Sequence, residues 1–358
     1  DEALKGHPYA KSALDAACWD ILGQDCGQPV SILLGGVLPD GGPMYRVVPQ
    51  KSPDEVNREM AEHRAAGYRQ FQIKVGNDWK GDIDRIHTAA AILEPGESAF
   101  ADANRGWTVR EAVQVVREVR DTGVMIEQPC SSYEECLHVR SRCDLPMKLD
   151  ECITDLKMAE RLVADRAAEV VCLKISNLGG LTKARRIRDY LVAHGLSVVC
   201  EDTWGGEITT AAVSHFAASC PESYLYNTTD LHNYNTVSTG EPPPEVREGR
   251  LYASTNPGLG VVPLADVLGE PLAGYSDSCH ELQEDIRLPE GPAAVRALLA
   301  VGRQAEIRGP GRHLRQDRNR RWLHGLGRGH ALGAYLCPGS RAWHTGWDPD
   351  DRSCPDRC

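Results

Sequence analysis

Three acidic residues close three short apolar runs: Asp102 in Ser98-Ala-Phe-Ala-Asp102, Glu127 in Val124-Met-Ile-Glu127, and Asp150 in Met147-Lys-Leu-Asp150. They stand 25 and 23 residues apart, about one strand-plus-helix unit each. Two lysines end similar runs on either side, Lys74 in Phe71-Gln-Ile-Lys74 and Lys174 in Val171-Cys-Leu-Lys174. Carboxylates brought close together disfavour one another's ionised form unless a cation sits among them. Three oxygen donors, completed by water and substrate oxygens, suit an octahedral Mg²⁺. Such an ion stabilises the enediolate left when a proton departs from the carbon beside a carboxylate. A partly desolvated lysine near a divalent cation has a lowered pKa and acts as a base near neutrality. Lysines on opposite sides of the ion address opposite faces of that carbon. Taken singly, each of these residues reads as a helix cap or a surface charge; five on successive strand ends read as a site.

The elements that must position them alternate regularly. Candidate strands are 44–50, 70–75, 98–103, 124–128, 147–152, 170–176, 197–202 and 223–227, with helical patterns between them at 53–66, 109–120, 155–167 and 181–193. This alternation predicts βα units and a parallel sheet. Eight strands with seven helices favour closure, so the fold class is α/β, a (β/α)7β TIM-type barrel, in which strand ends build the active site. A doubly wound sheet would want a Gly-rich phosphate turn after its first strand, and Val47-Val-Pro-Gln-Lys-Ser52 offers none. Alternation along a strand puts Gln72 and Lys74 on one face, and likewise Lys174 and Ser176.

The formal charge of −11 argues against nucleic acid or an anionic membrane as partner. No apolar run approaches the ~20 residues that span a bilayer, and Asp1-Glu-Ala-Leu-Lys-Gly6 lacks the layout of a signal peptide. The 13 cysteines are scattered without a CxxC pair, as expected of reduced thiols in a cytoplasmic protein. Before the barrel, Ala13, Leu14, Ala17, Cys18, Ile21 and Leu22 keep helical spacing up to Gly23. Residues 277–358 carry 13 Arg, no Lys and 11 acids, without periodic apolar runs after Val301. The expected division is therefore 1–43, 44–275 as the catalytic barrel, and 276–358 as a non-native or unstructured Arg-rich tail.

At Ile73-Lys-Val-Gly76, Asp102-Ala-Asn104, Ile126-Glu-Gln-Pro129, Asp150-Glu151 and Lys174 followed by Gly179-Gly-Leu-Thr182, the chain resembles the enolase superfamily in its muconate-lactonizing-enzyme, mandelate racemase-like subgroup. The resemblance covers roughly residues 8–275. It implies Asp102, Glu127 and Asp150 as Mg²⁺ ligands and Lys74 and Lys174 as the acid/base pair, a Lys–Mg²⁺ partnership for which this superfamily is a standard example. It also implies that the first 43 residues are the end of an α+β capping domain, the rest of which is missing here. Where the subgroup often has Lys-x-Lys, this chain has Gln72, an amide that can hydrogen-bond a substrate carboxylate. Val199-Cys-Glu-Asp-Thr-Trp-Gly-Gly206 is similar to members acting on proline derivatives, where an acid (Glu201 or Asp202) beside Trp204 would receive a cationic ring nitrogen through ion pairing and cation–π contact. The implied reaction is dehydration of cis-3-hydroxy-L-proline to Δ1-pyrroline-2-carboxylate. A 2-epimerase or racemase of a proline or hydroxyproline betaine uses the same residues, and a truncated, inactive barrel is the reading of another class. The expected partner is a small amino-acid substrate, with a homo-oligomer common among such barrels.

Overall fold

The structure, a computed structural model, describes residues 5–269; the Arg-rich tail expected at 276–358 lies outside them. Eight parallel strands form one sheet in sequence order. They are β1 (Tyr45–Val48), β2 (Gln70–Lys74), β3 (Ser98–Asp102), β4 (Met125–Glu127), β5 (Met147–Leu149), β6 (Val170–Lys174), β7 (Ser197–Glu201) and β8 (Leu225–Thr228). A parallel bridge between Met44 and Thr228 joins the last strand to the first. The seam is further held by Arg46, whose Nη1 and Nη2 donate to the two carboxylate oxygens of Asp230 at 2.6 and 3.0 Å. The sheet is a TIM-type barrel.

Helix α1 (Pro8–Cys26) precedes the barrel. Seven helices alternate with the strands: α2 (Pro53–Ala65), α3 (Trp79–Ala91), α4 (Val109–Glu118), α5 (Tyr133–Arg140), α6 (Leu156–Asp165), α7 (Leu181–Ala193) and α8 (Glu207–Ala218). Three begin with the same local signal. Ser52 with Glu55, Thr108 with Glu111 and Ser132 with Glu135 form capping boxes that satisfy the first orphan amides of α2, α4 and α5. Asp155 caps α6 by accepting from the Met158 amide at 3.0 Å.

Apolar residues divide into two cores. The larger one, including Phe71, Ile73, Ile126, Leu149 and Leu173, lies between strands and helices. A small plug of Tyr45, Phe100, Met125, Val170, Cys172 and Val199 fills the barrel interior. Strand alternation separates the two, successive residues along each strand facing one core and then the other.

Two local expectations are corrected. Strand β6 stops at Lys174, and Ile175–Leu178 form a helical turn, so Lys174 and Ser176 do not share a strand face. The cause is Ser176, whose amide and hydroxyl both donate to Asp202. The last strand begins at Leu225 rather than Ser223, because Glu222–Tyr224 form a 3-10 turn. Sequence periodicity also gave no warning of a three-stranded antiparallel sheet of Gly42–Pro43, Arg250–Tyr252 and Glu245–Arg247 beside the N-terminal end of β1.

No described helix is long and apolar enough to cross a membrane. Helix α1 docks on the start of α7: Asp15 accepts from the Thr182 amide and hydroxyl at 2.9 and 2.6 Å, and Trp19 Nε1 donates to Thr182 Oγ1 at 3.0 Å. Gly180, at φ +121°, makes room for this, since a Cβ there would lie 2.5 Å from the Asp15 side chain.

Helix α8 is fixed by His215, fully buried, whose Nδ1 accepts from the Ser31 amide while Nε2 faces the Leu259 carbonyl, both at 3.1 Å. That pattern requires the neutral ring, and burial pushes its pKa down from 6.5 to about 4. The folded state therefore binds fewer protons than the unfolded chain between these values. Stability contributed by His215 is complete above pH 6.5 and is lost as pH falls toward 4, by on the order of 3 kcal/mol. Urea unfolding midpoints measured across this window should drop in the wild type, and His215→Gln should flatten the dependence.

Candidate active site

Strand register aligns the charged residues. Lys74 pairs with Asp102, Asp102 with Glu127, Glu127 with Lys148, and Lys174 with Glu201. All but Lys148, the middle residue of β5, are C-terminal strand positions, and all face the barrel axis above the apolar plug. Lys74 Nζ lies 2.5 Å from Asp102 Oδ2, and Lys174 Nζ lies 2.7 Å from Asp150 Oδ2 and 3.7 Å from Glu201 Oε1. The five residues expected at the site are thus brought together, a lysine at each flank of three buried acids.

Burial pushes the Glu127 carboxyl up to about 8, with Asp102 and Asp150 adding to the shift. Burial likewise raises Asp150 to about 6, against the ion pair with Lys174. Desolvation alone would lower the Lys174 ammonium, but Glu201 and Asp150 outweigh it and hold its pKa well above the ordinary lysine value. This differs from the lowered pKa expected of a base and ties proton release by Lys174 to the state of Asp150.

The Asp-Ala-Asn and Glu-Gln-Pro motifs acquire physical roles. The Asn104 amide donates to Asp102 Oδ1 at 2.9 Å, and its side-chain oxygen accepts from Lys74 Nζ at 2.9 Å. Asn104 thus caps the strand end and orients the lysine, in a left-handed conformation (φ 43°) that Asn tolerates. Gln128 Oε1 accepts from the Asp150 amide at 3.0 Å, linking the ends of β4 and β5. Gly76 (φ +108°) is obligatory because a Cβ there would lie 2.3 Å from the Ala103 carbonyl oxygen.

The substrate-binding candidates fare differently. Gln72 Nε2 donates to Glu127 Oε2 at 3.1 Å, so it lies within the cluster. The seventh strand's two acids separate: Glu201 faces the axis, whereas the Asp202 carboxylate is consumed by Ser176 and by the Thr203 amide. Asp202 is a loop-tethering group rather than an open acceptor. Trp204 is 60% exposed and lies 5.9 Å from the Tyr234 ring, outside the cluster of charges.

Lys148 and Asp82 were missed, and Glu201 was named only as an alternative to Asp202. Lys148, fully buried, lies 2.9 Å from Glu127 Oε1. Alternation from Asp150 would have found it, since the two share a face. Glu201 accepts from Tyr45 Oη at 2.6 Å and from Cys172 Sγ at 2.9 Å, and Lys148 and Lys174 overcome burial to hold its carboxyl below the usual range. Asp150, Cys172 and Glu201 present ligand atoms within 4.8 Å of one another. Asp82, at the start of α3, is also buried and accepts from the Gly76 amide at 2.8 Å, from Trp107 Nε1 at 2.9 Å and from Arg85. It ties together the loops after β2 and β3, and nothing in sequence distinguishes it from a surface acid.

The barrel and its ring of acids and lysines define a class. Residues 55–267 match the family described as Enolase C-terminal domain-like. The chain is 46% identical over 276 residues to cis-3-hydroxy-L-proline dehydratase from Roseibium aggregatum, covering 77% of this chain and 75% of that one. Among solved structures, a mandelate racemase/muconate lactonizing enzyme from Roseovarius nubinhibens ISM superposes with a TM-score of 0.74 at 62% identity, over 76% of this chain and 73% of that one. An enolase-superfamily member from the same organism, complexed with magnesium, superposes with a TM-score of 0.74 at 37% identity, over 76% and 75% of the two chains. The chain belongs to the enolase superfamily and is an enzyme of its mandelate racemase/muconate lactonizing group.

Removing Asp82 leaves Arg85 and the Trp107 indole without their shared acceptor. Asp82→Ala should cost about 3 kcal/mol in urea unfolding, whereas the exposed Asp84→Ala on the same helix should cost under ~0.5 kcal/mol.

Proposed function

We propose that this enzyme removes the α-proton of a cyclic amino acid and expels its β-hydroxyl, converting cis-3-hydroxy-L-proline to Δ1-pyrroline-2-carboxylate. The observation that carries the reading is the pair of lysines flanking the acids, Lys74 on Asp102 and Lys174 on Asp150, from strands on opposite sides of the barrel. The 46% identity to a dehydratase of that substrate supports the choice of reaction.

The acids fit a hard divalent cation. Asp150 Oδ1 is buried without a hydrogen-bond partner, and burial together with nearby carboxylates pushes Glu127 and Asp150 towards their neutral forms. Asp102, Glu127 and Asp150 would hold Mg²⁺, which when bound supplies positive charge to the enediolate oxygens. The remaining chemistry belongs to side chains of the chain itself. One lysine takes the α-proton, and the flanking lysine on the other side assists departure of the 3-hydroxyl as water. The resulting enamine tautomerises to the imine. Glu201, ionised and facing the axis, receives the ring ammonium; Gln72 supplies an amide for the substrate carboxylate; Trp204 covers the rim.

Lys74→Ala and Lys174→Ala should each lower kcat by at least about 1000-fold, and an intact rate in either overturns the two-lysine reading. Incubation of cis-3-hydroxy-L-proline with Mg²⁺ in D₂O should yield a pyrroline. Deuterium at Cα with inversion and retained hydroxyl would instead establish a 2-epimerase, for which the same residues serve; no turnover or exchange of any candidate would support an inactive barrel. Glu201→Gln should raise KM about tenfold or more, whereas Asp202→Asn should lower the melting temperature with KM nearly unchanged.

A further inference from the structure

Lys148 has no part in the chemistry above, although its burial makes it a costly residue to keep. Its ammonium has one ionic neighbour at close range, Glu127 Oε1 at 2.9 Å, with both side chains at 0% exposure. It also lies over the ring faces of Phe100 at 4.4 Å and Tyr45 at 5.5 Å, in the apolar plug. The contact is an ion pair rather than an aligned hydrogen bond, and neither atom has a hydrogen-bond partner. The other oxygen of the same carboxylate accepts from Gln72 Nε2 at 3.1 Å. Glu127 is therefore gripped at both oxygens, and its orientation is fixed by groups from β2 and β5.

A carboxylate free to rotate can give both oxygens to one ion. Bidentate ligation suits Ca²⁺, which takes six to eight oxygens at about 2.3–2.6 Å, and fits poorly in the compact octahedron of Mg²⁺ at about 2.0–2.1 Å. An ammonium seated on Oε1 leaves only Oε2, through the lone pair that Gln72 does not use, for a cation in the barrel mouth. We propose that Lys148 is a metal-selectivity residue: by occupying Glu127 Oε1 it keeps that ligand monodentate and biases the site against Ca²⁺. The inference rests on the reading of Asp102, Glu127 and Asp150 as divalent-cation ligands and adds a positioning role for a residue outside that set.

The test is calorimetric titration of Mg²⁺ and Ca²⁺ into wild type, Lys148→Met and Lys74→Met. Lys74→Met also removes one lysine charge, but beside Asp102. The expected result is a Ca²⁺-to-Mg²⁺ affinity ratio raised at least tenfold in Lys148→Met alone. An unchanged ratio in a folded Lys148→Met, or an equal rise in Lys74→Met, overturns the role of Lys148 while leaving the cation site intact. No binding of either ion by wild type overturns both. Should Lys148→Met fail to fold, wild-type crystals soaked in each ion decide the matter: Glu127 ligating through Oε2 with Lys148 still on Oε1 supports the proposal, and bidentate Glu127 overturns it.

Discussion

Four buried carboxylates share the mouth of one barrel: Asp102, Glu127, Asp150 and Glu201. Their mutual repulsion is the constraint around which the interior is arranged. Three lysines answer it, each from a strand whose register sets it beside an acid. Formal charge within this group is −1, so the cluster is close to compensated yet still favours a cation. Buried ion pairs rarely add net stability, because desolvation offsets their attraction. What this network supplies is definition: each acid has at least one neighbour that fixes how its oxygens are turned.

That definition depends on backbone features far less conspicuous than the charges. Asn104 and Gln128 use left-handed backbone at the ends of β3 and β4 to bring side chains back across the sheet. The apolar plug of Phe100, Met125, Val170 and Val199 closes the space beneath, so the charged layer is solvated from one side only. Helix α1 braces the first turn of α7, after the loop that follows Lys174, through Asp15 and Trp19.

Much of this was legible in sequence because it rests on period and position. Strands of regular spacing, ending in Lys74, Asp102, Glu127, Asp150 and Lys174, require only alternation to be placed on one rim. The unread parts depend on contacts between distant segments. Nothing marked Lys148 out, because a charged residue inside a strand is ordinarily solvated, and only its parity with Asp150 argued otherwise. Glu201 and Asp202 are adjacent, so choosing between them required knowing where β7 ends, which Ser176 decides from the helical turn after β6. Asp82 is set in place by Gly76 and Trp107, which no local pattern connects. The short antiparallel strands near residue 250 carry too few residues for any period to show.

The contact between Gly76 and Ala103 has a bearing on modularity. The loops after β2 and β3 pass backbone against backbone, with Gly106 equally close to the Gly76 carbonyl. Asp82 and Trp107 bolt the same two loops from behind. A barrel assembled from repeating βα units invites the idea that any unit can be exchanged for a homologous one. Here the second and third cannot be parted: a chimera with its crossover between them would pair two loop backbones that never fitted each other. Recombination or shuffling of this protein would have to carry residues 70–107 across as a single cassette.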